Sequence, residues 1–243
     1  MPALTRVTIK KKLHDLTRTW LGLDVHSARH RGFDLEPYRM NAKYTRRLLH
    51  FERLLTQVDD LQGRIVECGV GPGRSIFAFS ILTQHLARPR EIWGFDTFEG
   101  MPPPGRENGD HNAHMGGVWA WRPEQVVESL KLAGIPEAFI EANIRFVPGR
   151  LQDSLPSYDG GSIAFLHLDV DFYASYKTAL EALYRHVVPG GIVAFDEYRQ
   201  QAWPGATRAI DEFFAARPEK PVKSPVLDLY YVVKTPSEAG IRK

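Results

Sequence analysis

The stretch Ile65-Val66-Glu67-Cys68-Gly69-Val70-Gly71-Pro72-Gly73-Arg74-Ser75 decides how the fold is read. An apolar run ends in an acidic residue, glycines follow at 69, 71 and 73, and apolar residues then return at helical spacing over 74–86. The pattern predicts a strand, a tight turn and a helix. Glycine permits positive φ and lets a ligand approach the backbone, while the opening N–H groups of the helix face the turn. This suits a nucleotide-like ligand.

Outward from the turn, short apolar runs recur at 91–95, 144–147, 163–168, 192–195 and 229–233, several of them separated by helical patterns. Strand and helix in alternation imply an α/β fold, doubly wound, with a mainly parallel sheet and helices on both faces. Ligands in such sheets bind beyond the carboxyl ends of the strands. Residues 38–61 carry helical periodicity of their own, so the expected division is an N-terminal helical extension or lid over 1–62 and a core over 63–243.

Composition narrows the class. A chain of 243 residues with 43% hydrophobic and 25% charged residues is long and apolar enough to bury a core, which excludes a disordered chain. No apolar run nears the roughly 20 residues of a membrane span, and the N-terminus lacks the apolar centre of a signal peptide. With Cys68 as the single cysteine, no intramolecular disulfide can form, and a cytoplasmic location is expected. Residues 1–53 hold twelve Arg or Lys against five Asp or Glu. A solvated helical face accounts for that excess more simply than an anionic partner, and no nucleic-acid module accompanies it.

The acidic residue on the turn selects among ligands. A dinucleotide turn would carry a further glycine at 74, where this chain has Arg74, and Glu67 would repel a pyrophosphate. S-adenosylmethionine has no phosphate and carries a sulfonium and an ammonium group, so Glu67 favours it over NAD. Asp96, at the end of the second apolar run, is placed to accept the ribose hydroxyls. Gly69, Gly71, Gly73 and Ser75 complete this half of the expected cofactor site. Cys68 is read as a small buried thiol, since no base is placed beside it.

A second acidic group follows the later strands. Phe165-Leu166-His167-Leu168-Asp169-Val170-Asp171 and Val193-Ala194-Phe195-Asp196-Glu197 each end an apolar run in two carboxylates, which neighbouring strands would bring together. Four carboxylates at one point repel unless a cation neutralises them, and an all-oxygen set suits Mg²⁺, Mn²⁺ or Ca²⁺ rather than zinc. The plainer alternative, that Asp171 caps the helix after it, explains one of the four.

Four segments together, IVECGVGPGRS, WGFDTFEGMP, LHLDVDFYASYKTALEAL and VPGGIVAFDEY, resemble the macrocin O-methyltransferase family over residues 38–233. The resemblance implies a class I methyltransferase fold with a seven-stranded sheet, S-adenosylmethionine, Mg²⁺ or Mn²⁺, and transfer to a hydroxyl of a sugar or glycoside. It implies Asp169, Asp196 and Glu197 as metal ligands, Asp169 also beside the cofactor, Asp171 as general base, and Gln152 and Asp153 near adenine. Two departures stand out: the family has Asp-Gly-Asp where this chain has Asp169-Val170-Asp171, and two aspartates where it has Asp196-Glu197.

In that chemistry a metal lowers the pKa of the acceptor hydroxyl and Asp171 takes its proton. His167 is an alternative base, although its apolar strand favours a core histidine. The loop over 100–121 is a candidate substrate lid, with His111 and His114 read as substrate contacts or loop polarity rather than metal ligands. A catechol-type or other small-molecule O-methyltransferase remains open, as do a nicotinamide oxidoreductase and a binding module without turnover. The residues are compatible with a homo-oligomer.

Overall fold

The computed structural model describes residues 41–85, 90–101, 110 and 120–236. They fall in a compact unit that begins at Pro37. Helix α1 (Ala42–Gln57) starts where the Asn41 side chain accepts the Tyr44 N–H at 3.0 Å, and it buries His50, Phe51, Leu54 and Leu55. Strand β1 (Arg64–Cys68), the glycine turn and α2 (Arg74–Thr83) follow as expected, with α2 ending before residue 86. Then come β2 (Ile92–Asp96), α3 (Pro123–Leu132), α4 (Glu137–Asn143), β3 (Ile144–Pro148) and the short α5 (Leu151–Ser154). The chain continues through β4 (Ile163–Leu168), α6 (Tyr173–Leu183), β5 (Val187–Phe195), α7 (Pro204–Phe214), β6 (Val222–Lys223) and β7 (Tyr230–Val233).

The seven strands form one sheet in the order β3-β2-β1-β4-β5-β7-β6. Strands β1 to β5 run parallel; β7 is antiparallel to β5, and β6 to β7. Buried β4, with all six residues inside, reads as a continuous apolar run because helices cover both its faces. One apolar core, with Phe195, Tyr176 and Phe214, fills one face; a second, with Phe51, Phe79 and Phe165, fills the other. This is the expected doubly wound, mostly parallel seven-stranded sheet. Two features escape its sequence pattern: β5 begins at Val187 rather than 192, and β6 is a two-residue exposed edge with no apolar run.

The strand order reverses between β1 and β4, so the turns after these two strands straddle the switch point. They are in close contact: a Cβ added to Gly69 would lie 1.7 Å from the Asp169 carbonyl oxygen, and Gly69 has a φ of +88°. Backbone bonds extend the ladders into these turns, with the Asp169 N–H donating to Cys68 O and the Asp196 N–H to Leu168 O, both at 2.9 Å. Among the described residues no helix is long and apolar enough to cross a membrane.

Candidate active site

A cavity of about 550 Å³ opens at the switch point, a volume typical of small-ligand sites. Gly69, Gly71 and Asp96 line it together with Asp169, Asp171 and Asp196. Asp96 shapes the turn. Its Oδ2 accepts the N–H groups of Val70 at 2.8 Å and Gly71 at 2.9 Å, and its Oδ1 accepts that of Phe98 at 2.7 Å. The carboxylate at the end of β2 thus fixes the backbone that a cofactor would lie against.

Of the other residues expected on the cofactor side, Ser75 and Gln152 line the cavity, while Gly73, Asp153 and Glu67 do not. Gly73 serves α2 as its N-cap in the left-handed region, and Asp153 is exposed on α5. Glu67 departs furthest from its expected place. It sits within β1, 1% exposed, and its Oε1 lies 2.8 Å from His167 Nδ1. Burial, reinforced by Asp169, raises its carboxyl well above the usual range, opposed by a hydrogen bond from Ser75. Burial likewise holds His167 well below an ordinary histidine, so burial favours the neutral form of each, as expected for a core histidine.

The acidic residues after β4 and β5 do converge. Asp169, Asp171 and Glu197 each bring a carboxylate oxygen within 4.8 Å of the others, and His167, Asp169 and Asp196 form a second such set. Asp169 belongs to both, and the other two expected ligands are divided between them. Burial, then Asp169, lifts Asp171 to about 8, and the same causes in the same order push Glu197 well above the carboxylate range. Glu197 Oε2 is also engaged, 2.6 Å from the Tyr176 hydroxyl and 3.3 Å from the Asp171 N–H that donates to it.

Capping does not explain Asp171. The Tyr173 N–H that opens α6 donates to Asp110, with both carboxylate oxygens at 3.3 Å, and the helix has no cap from its own N-cap side chain. Asp171 instead occupies the left-handed region at φ 60° in a tight turn, closed by the Phe172 N–H donating to Val170 O at 2.6 Å. An L-residue held there stores strain of about 1–3 kcal/mol, and such positions cluster at functional sites. Where the related pattern has Asp-Gly-Asp, this chain bends at the second aspartate itself.

Sequence reasoning missed Arg47. Residues of the basic N-terminal stretch were expected on a solvated face, yet Lys43 and Arg47 line the cavity, and Arg47 is only 14% exposed. Its Nη2 makes an ion pair with Asp196 Oδ1 and lies 4.0 Å from Asp169 Oδ2. The charge excess was visible, but nothing local in the sequence singles out this arginine. Cys68 is buried and its thiol is pushed up by that burial, which is packing and not nucleophile chemistry. His111, His114 and most of the expected lid lie outside the described residues.

Known proteins resemble the chain across this architecture. The 8-demethyl-8-(2,3-dimethoxy-alpha-L-rhamnosyl)-tetracenomycin-C 4'-O-methyltransferase of Streptomyces olivaceus is 36% identical over 146 residues, 58% of this chain and 54% of that protein. The demethyldecarbamoylnovobiocin O-methyltransferase of Streptomyces niveus is 31% identical over 163 residues, 65% of this chain and 60% of that protein. With the mycinamicin III 3''-O-methyltransferase of Micromonospora griseorubida included, the matched stretches span 54% to 61% of the curated relatives' length. The solved O-methyltransferase NovP superposes with a TM-score of 0.70 at 27% identity, over 79% of this chain and 80% of its own. A calicheamicin methyltransferase at 24% identity shares the fold, with a TM-score of 0.72. Residues 4–232 match the model of the macrocin O-methyltransferase (TylF) family, and the chain belongs to that family.

Proposed function

We propose that this chain is an S-adenosylmethionine-dependent O-methyltransferase acting on a sugar hydroxyl of a natural-product glycoside, with a divalent cation held by Asp169, Asp196 and Glu197. The observation that carries this reading is that one cavity is lined both by the glycine turn and Asp96 and by the carboxylates that follow β4 and β5. Relatives named for transfer to glycosylated natural products support the acceptor class.

The residues fit both groups. The donor set is all oxygen, as hard cations require, and Asp169, Asp171 and Glu197 bring carboxylate oxygens within 4.8 Å of one another. When bound, S-adenosylmethionine supplies an electrophilic methyl group and the cation a Lewis acid that acidifies the acceptor hydroxyl. Gly69 and Gly71 present bare backbone to the cofactor, and Asp96 offers carboxylate oxygens beside them. Asp171, held at φ 60° beside Asp169 and Glu197, takes the hydroxyl proton on its carboxylate. The walls bring the cofactor turn and the acidic cluster together in one cleft, and positioning two reactants side by side supplies much of the rate.

The test is a panel of glycosides and catechols incubated with S-adenosylmethionine and Mg²⁺, with S-adenosylhomocysteine measured by mass spectrometry. Methylation of a glycoside and not of catechols is expected. Turnover of catechols alone would replace the sugar acceptor with the catechol-type reading.

A further inference from the structure

Arg47 reaches the carboxylates from a helix that carries none of them. It lies four residues before Phe51, on the same face of α1. Phe51 anchors that face, its ring 4.8 Å from Phe79 and 5.1 Å from His167, and the Arg47 guanidinium carbon lies 5.9 Å from the Phe51 ring centre. From there Nη2 contacts Asp196 and stands 4.0 Å from Asp169, two of the three residues read as metal ligands. The pairing is imperfect, since the Arg47 Nε is buried with no hydrogen-bond partner. A buried donor left unmatched is costly, so charge neutralisation is what holds this side chain in place.

The geometry points to Arg47 as a built-in counter-cation, which neutralises Asp169 and Asp196 until a divalent ion takes its place. This rests on the metal reading of the acidic cluster and adds to it a residue of α1. A guanidinium bridging two candidate ligands stands within a few ångströms of where a divalent ion must be, and two cations that close repel strongly in a partly buried site. The present pairing also accounts for the division of the ligands. Asp196 is engaged by Arg47 and belongs to a different set from Asp171 and Glu197. Release of Arg47 frees Asp196 to join them. Metal loading is thereby coupled to α1, which contributes Lys43 and Arg47 to the cavity wall.

The experiment is a Mn²⁺ titration of the full chain, free of other metals, with unbound Mn²⁺ read by electron paramagnetic resonance. Wild type is compared with Arg47→Gln, Arg47→Lys and Asp169→Asn. About tenfold tighter binding is expected for Arg47→Gln, with little change for Arg47→Lys, which keeps the charge. Without metal, Arg47→Gln should also melt at a lower temperature and recover more on adding Mn²⁺ than wild type does. Labelling of wild-type Arg47 by an arginine-selective dicarbonyl, located by mass spectrometry, gives a readout independent of any variant's folding. It should rise when Mn²⁺ is added.

Unchanged or weaker Mn²⁺ binding in Arg47→Gln, with binding still lost in Asp169→Asn, would overturn the counter-cation role and leave the metal site standing. So would Arg47 labelling that Mn²⁺ does not alter. Absence of Mn²⁺ binding in wild type and every variant would overturn both.

Discussion

His167 and Glu67 form a buried pair in neighbouring strands, Nδ1 to Oε1 at 2.8 Å, in a register that sets the two residues side by side. Rings of Phe51 and Phe79 close over the imidazole, with centroids 5.1 and 5.8 Å away. The acid expected at the cofactor is thus paired inside the sheet, beneath the turn whose backbone forms the cavity wall.

Glu67→Gln should leave affinity for S-adenosylhomocysteine within about threefold of wild type while lowering stability by roughly 1–2 kcal/mol, the usual cost of weakening a buried hydrogen bond. Asp96→Ala removes the acceptor for the Val70 and Gly71 N–H groups and should weaken binding by at least about tenfold. Isothermal titration separates them; a tenfold loss in Glu67→Gln would return that residue to the cofactor.

Two glycines of the turn should respond differently to alanine. At Gly71 a Cβ meets nothing within 4 Å, so Gly71→Ala should cost only about 1–2 kcal/mol of backbone strain and chiefly obstruct the cofactor. At Gly69 the Cβ collides with the Asp169 carbonyl, so Gly69→Ala should be the less stable of the two and also displace Asp169, the proposed metal ligand. Thermal melts and titrations with S-adenosylhomocysteine and Mn²⁺ on both variants decide this.

Asp171→Asn keeps the shape of the side chain and removes the proposed base. Methyl transfer to an active acceptor should fall by about 10²-fold or more, with S-adenosylhomocysteine affinity unchanged. Equal loss of both would make Asp171 a structural residue of the turn.

Acid should loosen the α1 side of the molecule through His50, whose Nδ1 lies 2.9 Å from the Ser224 hydroxyl oxygen. Burial, then Arg47, lowers this histidine from 6.5 to about 4. A lowered folded value means the native state prefers the neutral ring. Its contribution is complete above pH 6.5 and is lost as pH falls through about 4, a difference of up to about 3 kcal/mol. Melting temperature measured across that window should fall less steeply in His50→Gln than in wild type, whatever the variant's starting stability. Parallel slopes would remove His50 as the cause.

Much of this molecule was readable along the chain because the signals are local. A glycine at 69, 71 or 73 states its own backbone conformation, and an apolar run such as 163–168 states burial on both faces. Asp96, Asp169 and Asp196 each follow a strand, and parallel strands deliver all their carboxyl ends to the same edge of the sheet. The doubly wound fold, the cleft and the meeting of the acidic residues follow from that logic without coordinates.

What tertiary structure decided is which way individual side chains turn and what they find there. Strand register sent Glu67 to His167 instead of to the cavity, Asp110 took the cap of α6 and released Asp171, and α1 laid Arg47 against Asp196. None of these pairings has a sequence period or spacing. Each depends on two segments, distant in the chain, meeting at a particular angle, and on the balance between desolvation and charge once water has been excluded from between them.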